Sequence, residues 1–303
     1  MVTAALSRTG ARRMHSRRLE ELGRLLWRDR SGAVGLLILT IVVLAAVFAP
    51  AIAPYNPLEV DLSISRLPPG WREGGTWSHP FGTDSLGRDI FSRIVYGARV
   101  SVTVGVFGVF IAMTLGVFIG SIAGYFGGRI DSLIMGPINL LLSLPYLLIV
   151  VFVASILGRS LINVILILGV TSSPLFARVT RGEVIRIRET SYVESARCAG
   201  ARWDRIVFDH ILPNVIGPLV TLASFEMSAM IFYEAGLSFI GLSVPPSIPS
   251  WGNMMAEGRK YLTSYPWMTT LPGLAVMFTS LGMNLTGDWL RDALDPRLRR
   301  ARR

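Results

Sequence analysis

The chain has 303 residues, a net charge of +10, 51% apolar residues and a mean hydropathy of +0.50. This apolar content is typical of polytopic membrane proteins and excludes an ordinary pair of soluble domains. A single cysteine excludes an intrachain disulfide, and three histidines without paired spacing predict no metal site. Because separated segments share the positive charge, we expect no nucleic-acid partner.

Six apolar windows reach the roughly 20 residues that a helix needs to cross a bilayer. We therefore predict an all-α membrane protein with six transmembrane helices. The first window follows eight arginines, which is too much charge for a cleavable signal peptide, so it should remain as an anchor. The windows are 32–52, 100–125, 132–157, 161–179, 215–239 and 267–289.

The distribution of basic residues predicts the orientation. With the amino terminus inside the cell, 22 of the 30 Lys and Arg residues fall on the cytoplasmic side and eight on the other. Cytoplasmic segments of membrane proteins are enriched in Lys and Arg, so both termini are expected in the cytoplasm. The large loops 54–97 and 241–266 then face outward, and their Pro and Gly content favours compact, turn-rich structure.

On this topology the chain has four parts. An arginine-rich cytoplasmic segment, 1–30, precedes the first transmembrane helix and its outer loop, 31–96. A core of five transmembrane helices, 97–290, contains the cytoplasmic segment 180–213. A basic cytoplasmic tail, 291–303, ends the chain.

Glycines and prolines mark the second, third and fourth windows. Gly116, Gly120 and Gly124 stand four residues apart on one helix face, which predicts close helix packing, although glycine is common in membrane helices generally. Pro145, like Pro137, interrupts the third window and Pro174 the fourth. Each ring removes an N–H donor, so kinks are expected. Such kinks either shape a cavity or are tolerated packing irregularities.

The most informative segment lies between the fourth and fifth windows, where a polar, arginine-bearing stretch separates two apolar runs. Ser191 is suited to cap a short helix, Glu194 lies in its first turn, where the helix dipole favours an anion, and Gly200 is suited to end it. Chemistry alone leaves two interpretations open. The helix is either a docking surface or an ordinary solvated element.

No catalytic constellation is found in the sequence. A P-loop requires a lysine that reaches the phosphates, and the only lysine, Lys260, stands in GRKYL on the predicted outer side. His79, His210 and Cys198 fall on different predicted sides or lack partners for nucleophilic catalysis. We therefore predict that the chain is not an enzyme, and that any energy from ATP arrives through another polypeptide.

The polar segment resembles the signature of bacterial ABC-importer permeases, which reads E-A-A, three residues, G, nine residues, I-x-L-P. The matching residues are Glu194, Ser195, Ala196, Gly200, His210, Ile211, Leu212 and Pro213. Ser195 departs from the second family position, and His210 stands where isoleucine is usual. Four further blocks, 79–101, 123–131, 234–254 and 287–297, make the chain similar to the C-type permease of dipeptide, oligopeptide and nickel importers.

The resemblance implies a type I ABC-importer permease fold in a bacterial inner membrane. It implies a second homologous permease of the B type, two cytoplasmic ATPase subunits that bind ATP and Mg²⁺, and an extracytoplasmic substrate-binding protein. No cofactor is expected in this chain. The implied function is to form half of a pathway for di- or oligopeptides. Nickel or another small solute is the alternative within the family, and a secondary transporter is the main competitor outside it.

The resemblance also implies that the polar segment is the coupling helix, which docks in a groove of the ATPase. The residues assigned to coupling are Tyr192, Glu194, Ser195, Ala196, Gly200, Ala201, Arg202, Asp204, Leu212 and Pro213. In the outer loop His79, Asp84, Arg88 and Asp89 are candidates for contact with the binding protein, although turn chemistry explains that segment as well. Trp251 and Trp267 are expected to be interfacial anchors.

Five polar residues within the windows are candidates for the substrate pathway. Glu226 falls near the middle of the fifth window, where a carboxylate is costly unless it meets water or a partner. It either lines the pathway, facing a cation such as a peptide amino terminus, or locks two helices together. Glu234 is expected to support the outer end of that span or the gate. Asn139, Ser143 and Asn284 either wet the cavity or form interhelical hydrogen bonds.

Overall fold

The computed structural model describes residues 30–294. Most of the arginine-rich segment and of the basic tail therefore lies outside the described residues. The longer helices are α1 (Arg30–Val47), α2 (Ile90–Phe126), α3 (Gly128–Ser143), α4 (Tyr146–Leu157), α5 (Leu161–Arg188), α6 (Ser191–Cys198), α7 (Leu212–Phe239), α8 (Trp251–Gly258) and α9 (Trp267–Leu294). Short helical turns occupy Ala49–Ile52, Leu62–Ile64, Trp203–Arg205 and Arg259–Tyr261, and a π-helix occupies Ile206–Ile211.

The helical prediction is confirmed, whereas the number of crossings is confirmed only in part. Within residues 30–294, four stretches are long and apolar enough to cross a membrane: α1, α2, α5 and Trp203–Phe239. A fifth crossing arises if α3 and α4, which meet at an angle of 93°, form one span. The sixth window lies in α9, which is long enough but not apolar enough to count as a crossing, because Thr, Ser, Gly and Asn stand among its apolar residues. Six crossings and cytoplasmic termini stay predictions.

Two helices extend well beyond their apolar windows. α2 begins at Ile90 rather than Val100, because Asp89 caps it by accepting a 2.7 Å hydrogen bond from the backbone N–H of Ser92. α5 continues to Arg188 rather than ending at Val179. Hydropathy detects only the part of a helix that suits lipid. The polar turns at the start of α2 and at the end of α5 were therefore not predicted.

The predicted kink at Pro145 is confirmed as a break between α3 and α4. Leu144 has an extended backbone with ψ of 146°, as expected for a residue whose α conformation is blocked by a following proline. Pro137 and Pro174 instead lie inside α3 and α5, which continue through them. The break at Leu144–Pro145 therefore bends the chain near the middle of the third apolar window, 132–157.

α2 and α5 form the most extensive helix pair among the described residues. A methyl group added to Gly116 or Gly120 would overlap atoms of α5, and one added to Gly124 would lie 2.9 Å from the Arg181 carbonyl oxygen. Contacts this close are possible only without a side chain on α2. The predicted packing role of the three glycines is thus confirmed.

The molecule has two distinct ends. At one end, α6 and the π-helix lie beside the last turns of α2 and α5, and we call this the α6 end. At the other, the loop before α2 packs on α8, and we call this the loop end. Trp251 marks the loop end: its ring is only 2% exposed, and its indole N–H donates a 2.9 Å hydrogen bond to the Ile94 carbonyl. The expectation that Trp251 and Trp267 are interfacial anchors was wrong, since both are buried.

Candidate functional site

The α6 end presents a short helix with one buried anchor. Val193 is completely buried among apolar residues of α5, the π-helix and α7, whereas Tyr192, Glu194 and Ser195 are exposed. Glu194 lies in the first turn as predicted. The prediction that Ser191 caps the helix was wrong, because Ser191 is already the first residue of α6. Thr190 occupies the capping position, and its side chain makes no hydrogen bond to the helix.

Gly200 ends α6 as predicted. Its φ is +80°, in the left-handed region that glycine adopts without strain. The N–H of Gly200 bonds to the Arg197 carbonyl at 3.0 Å, and that of Ala201 to the Ala196 carbonyl at 3.1 Å. This pair of bonds is the Schellman arrangement, which satisfies carbonyls that a helix end leaves free. The conformation of Gly200 therefore sets the direction in which the chain leaves α6.

Two contacts join α2 to the end of α5 and to the helical turn that follows α6. The Arg188 guanidinium donates to the carbonyls of Gly124 and Tyr125 at 3.0 and 2.8 Å, which satisfies the carboxyl end of α2. The rings of Phe126 and Trp203 lie 5.7 Å apart. A mainly polar recess of about 520 Å³ opens beside Arg188, between the end of α2 and α6. Its lining residues are Tyr125, Phe126, Arg188, Glu189, Glu194 and Arg197.

A second set of contacts joins α6 to α7. The Tyr192 hydroxyl donates to the His210 carbonyl at 3.0 Å, and the Asn214 amide donates to the same carbonyl at 2.7 Å. The Asn214 amide also lies 3.2 Å from the Tyr192 hydroxyl. Pro213 occupies the first turn of α7, where its missing N–H is tolerated. α6 is thus tied to the start of the long helix that contains Glu226.

The remaining coupling candidates are less engaged. Arg202 is exposed, and its guanidinium lies 3.4 Å from the Asp204 carboxylate, an exposed pair of small energetic value. Leu212 is half-buried. These side chains are free to contact another protein but hold nothing together within the described chain.

Glu226 lies at the middle of α7 and takes part in a polar cluster at the centre of the bundle. Its carboxyl group lies near the Ser172 hydroxyl on α5, and Tyr233 stands seven residues further along the same face of α7. The Tyr146 hydroxyl lies 3.1 Å from the Ser172 hydroxyl and 3.2 Å from that of Thr171. The two tyrosine rings are 4.6 Å apart. We call these five residues the Glu226 cluster.

The other pathway candidates lie elsewhere. Glu234 is completely buried at the loop end of α7, where it accepts hydrogen bonds from Ser238 at 2.8 Å and Ser243 at 3.3 Å. Asn139 accepts a 2.9 Å bond from Arg178 across α3 and α5. The Ser143 hydroxyl donates a hydrogen bond to the Leu140 carbonyl within α3, and Asn284 is exposed on α9. Neither residue is part of the group around Glu226.

The candidates in the loop before α2 form a buried network. Arg88 and Arg93 both contact the carboxylates of Asp84 and Glu257, with Arg88 at 2.7 and 2.6 Å. His79 lies 3.0 Å from the Asp89 carboxylate. The two arginines fasten the loop and the start of α2 to α8 through Glu257. Because all of these residues except Glu257 are buried, they do not present a free surface to a binding protein.

Several members of the Glu226 cluster were not predicted from the sequence. Tyr146 and Ser172 belong to no sequence motif. Tyr146 directly follows Pro145 at the break, however, and Ser172 lies two residues before Pro174 in α5. Tyr233 stands seven residues after Glu226, a spacing that puts both on one face of a helix. A search for polar side chains near span-breaking prolines and near the lone mid-span carboxylate would have found all three.

Comparison with known proteins agrees with this architecture. Residues 116–300 match the family described as binding-protein-dependent transport system inner membrane component, and residues 20–69 match the N-terminal TM domain of oligopeptide transport permease C. The di/tripeptide transport system permease protein DppC of Pseudomonas aeruginosa is 40% identical over 93% of each chain. The dipeptide transport system permease protein DppC of Escherichia coli K12 is 44% identical over 93% of this chain and 94% of that protein.

Solved structures agree on the fold. The MetNI methionine ABC transporter, in inward-facing conformations, matches with a TM-score of 0.55 and 20% identity over 67% of this chain and 96% of that chain. An amino acid ABC transporter matches with a TM-score of 0.51 and 15% identity over 66% and 94%. Together with its apolar helices, the family match and the two permease relatives make the chain a multi-pass inner-membrane protein. It belongs to the binding-protein-dependent transport system inner membrane components, the permease family of ABC importers.

Proposed function

We propose that this chain forms half of the translocation pathway of a peptide importer and that α6 receives the work of ATP hydrolysis from separate ATPase subunits. The observation that carries the coupling role is the construction of the α6 end. A single buried residue, Val193, anchors a helix whose other side chains are mostly exposed. Val193 packs in one apolar cluster with α5, and the Tyr192 hydroxyl ties the helix to the start of α7. A force applied to its exposed face reaches two long helices.

The recess beside α6 supports docking of a protein partner. Glu194 and Arg197 stand at its rim with opposite charges, and its lining is mainly polar. Such a surface suits a partner with complementary charges, since electrostatic complementarity selects partners and orients them. We assign that partner as one of two ATPase subunits that bind ATP and Mg²⁺. A B-type permease and an extracytoplasmic binding protein complete the assembly.

Peptides are the proposed cargo because the relatives that match over nearly the whole chain are named dipeptide and di/tripeptide permeases. Nickel, the alternative within the family, receives less support, since no group of three or more His, Cys, Asp or Glu residues in the described part of the chain could hold a metal ion. The Glu226 cluster instead offers one carboxylate, hydroxyls and aromatic rings, groups that suit an organic ammonium.

Co-expression with the neighbouring transporter genes tests the proposal. The chain should co-purify with ATPase subunits, and proteoliposomes containing the complex and its binding protein should take up a labelled dipeptide only with ATP. Uptake by this chain alone, or driven by an ion gradient without ATP, would instead identify a secondary transporter. Uptake of nickel but of no peptide would move the assignment to the alternative cargo.

A further inference from the structure

The Glu226 cluster combines three kinds of group that rarely occur together inside a membrane. Glu226 supplies a carboxyl group halfway along α7, Ser172 and Thr171 supply hydroxyls from α5, and the tyrosines supply two neighbouring rings. No Lys, Arg or His among residues 30–294 forms a salt bridge with Glu226. A carboxylate at this depth needs a counter-charge or water.

The backbone beside the cluster is broken at one point, and the second helix of the cluster contains a proline. Tyr146 is the first residue of α4, directly after the 93° bend, and Thr171 and Ser172 precede Pro174 within α5. In membrane proteins, broken helices at mid-membrane depth are tolerated where they line a cavity or are buried in protein, and in transporters they commonly form binding sites. The break at Leu144–Pro145 is what places the Tyr146 ring against Tyr233.

We infer that the Glu226 cluster binds the α-ammonium group of the peptide as it passes through this subunit. A primary ammonium has three N–H donors and a full positive charge. The Glu226 carboxylate would accept a charge-assisted hydrogen bond, the Ser172 hydroxyl a second one, and the rings of Tyr146 and Tyr233 would attract the charge through their π faces. The inference rests on the proposed peptide cargo.

The site recognises the one cationic group that free peptides share, whatever their side chains. None of its members contacts the exposed face of α6, so recognition of the ammonium is separate from docking of the ATPase. Glu226 and Tyr233, seven residues apart on α7, present the carboxylate and one ring from the same helix face. A rotation of α7 would therefore carry both groups towards or away from the substrate together.

The test uses the complete transporter in proteoliposomes with its binding protein at saturating concentration. Uptake of labelled Ala-Ala is compared with uptake of its propionyl-Ala analogue, which lacks the ammonium, after affinity of the binding protein for each has been measured. Glu226→Gln should reduce Ala-Ala uptake by about tenfold, the effect of losing one charge-assisted hydrogen bond, and should leave propionyl-Ala uptake nearly unchanged. Glu226→Asp, which keeps the charge, should restore part of the loss.

A second pair of variants keeps the test decisive if Glu226→Gln does not assemble. Tyr233→Phe keeps the aromatic face and should retain Ala-Ala uptake, whereas Tyr233→Leu should raise its KM several-fold. Equal losses for the two substrates, or equal effects of Phe and Leu, would overturn the inference and favour a helix-locking role. Failure of the wild-type transporter to import any peptide would instead refute the proposed function, so the two failures are distinguishable.

Discussion

At the scale of single residues, the left-handed conformation of Gly200 controls the exit from α6. A β-branched side chain at a φ of +80° should cost about 1–3 kcal/mol of strain. No atom lies within 4 Å of a methyl group added there, so the cost comes from the backbone and not from a clash. We expect Gly200→Val to assemble with its partners but to lose most of the ATPase stimulation by loaded binding protein.

Gly200→Asn is the matched control for this prediction. Asparagine tolerates the left-handed region far better than valine does, because its side chain bonds to nearby backbone. The Asn variant should therefore retain most of the stimulated ATPase activity at comparable complex yield. If the Val and Asn variants behave alike, backbone conformation at this position does not control coupling.

Residue-level prediction succeeded where one local rule decides the outcome. Gly200 ends α6, Glu194 lies in its first turn and Pro213 opens α7, each for a reason visible in a few neighbouring residues. It failed where distant parts of the chain meet. Nothing near Trp251 in the sequence indicates that its ring fills the space over Gly97, where an added methyl group would lie 2.7 Å from the indole.

At the scale of helices, the glycine seam between α2 and α5 gives a stability prediction. A methyl group at Gly120 would overlap the Ala177 carbonyl and lie 2.8 Å from Thr180 Cβ. Overpacking of this kind costs typically about 1–3 kcal/mol. Gly120→Ala should therefore lower the midpoint of thermal unfolding of the detergent-purified chain by several degrees.

Gly182 on α5 provides the control, because no atom lies within 4 Å of a methyl group added there. Alanine in a helix is favoured over glycine by about 0.5–1 kcal/mol, so Gly182→Ala should leave the midpoint unchanged or raise it slightly. The two variants add the same methyl group to a helical glycine. A fall of equal size in both would mean that close packing at the seam is not the cause.

The extent of each helix was less predictable than its existence. Apolar windows located α1, α2, α5 and α7, because lipid-facing segments must be apolar along their length. They did not reveal α8 or the polar turns at the start of α2 and the end of α5, which are stabilised by caps and ion pairs. The Glu226 cluster was half predicted: the carboxylate was visible as an anomaly, but its partners are assembled by the bend before Tyr146.

At the scale of the whole molecule, one helix connects the α6 end with the Glu226 cluster. α7 begins beside Tyr192, carries Glu226 at its middle and holds the buried Glu234 five residues before its end. The π-helix before it is a wide turn, in which the Leu212 N–H bonds five residues back to the Val207 carbonyl. A displacement of α6 would therefore be transmitted to the start of α7 through the shared His210 carbonyl.

This arrangement predicts that Tyr192 and Asn214 act as a unit. Tyr192→Phe removes the hydroxyl bonded to the His210 carbonyl and keeps the ring, while Asn214→Ala removes the amide bonded to the same oxygen. Each variant should lower the number of peptides imported per ATP hydrolysed, with ATPase binding retained. Residues that share a hydrogen-bonded partner are coupled energetically, so the double variant should lose less than the sum of the single losses. Strict additivity, or an unchanged ratio in Tyr192→Phe, would show that force reaches α7 by another route, such as the Val193 anchor.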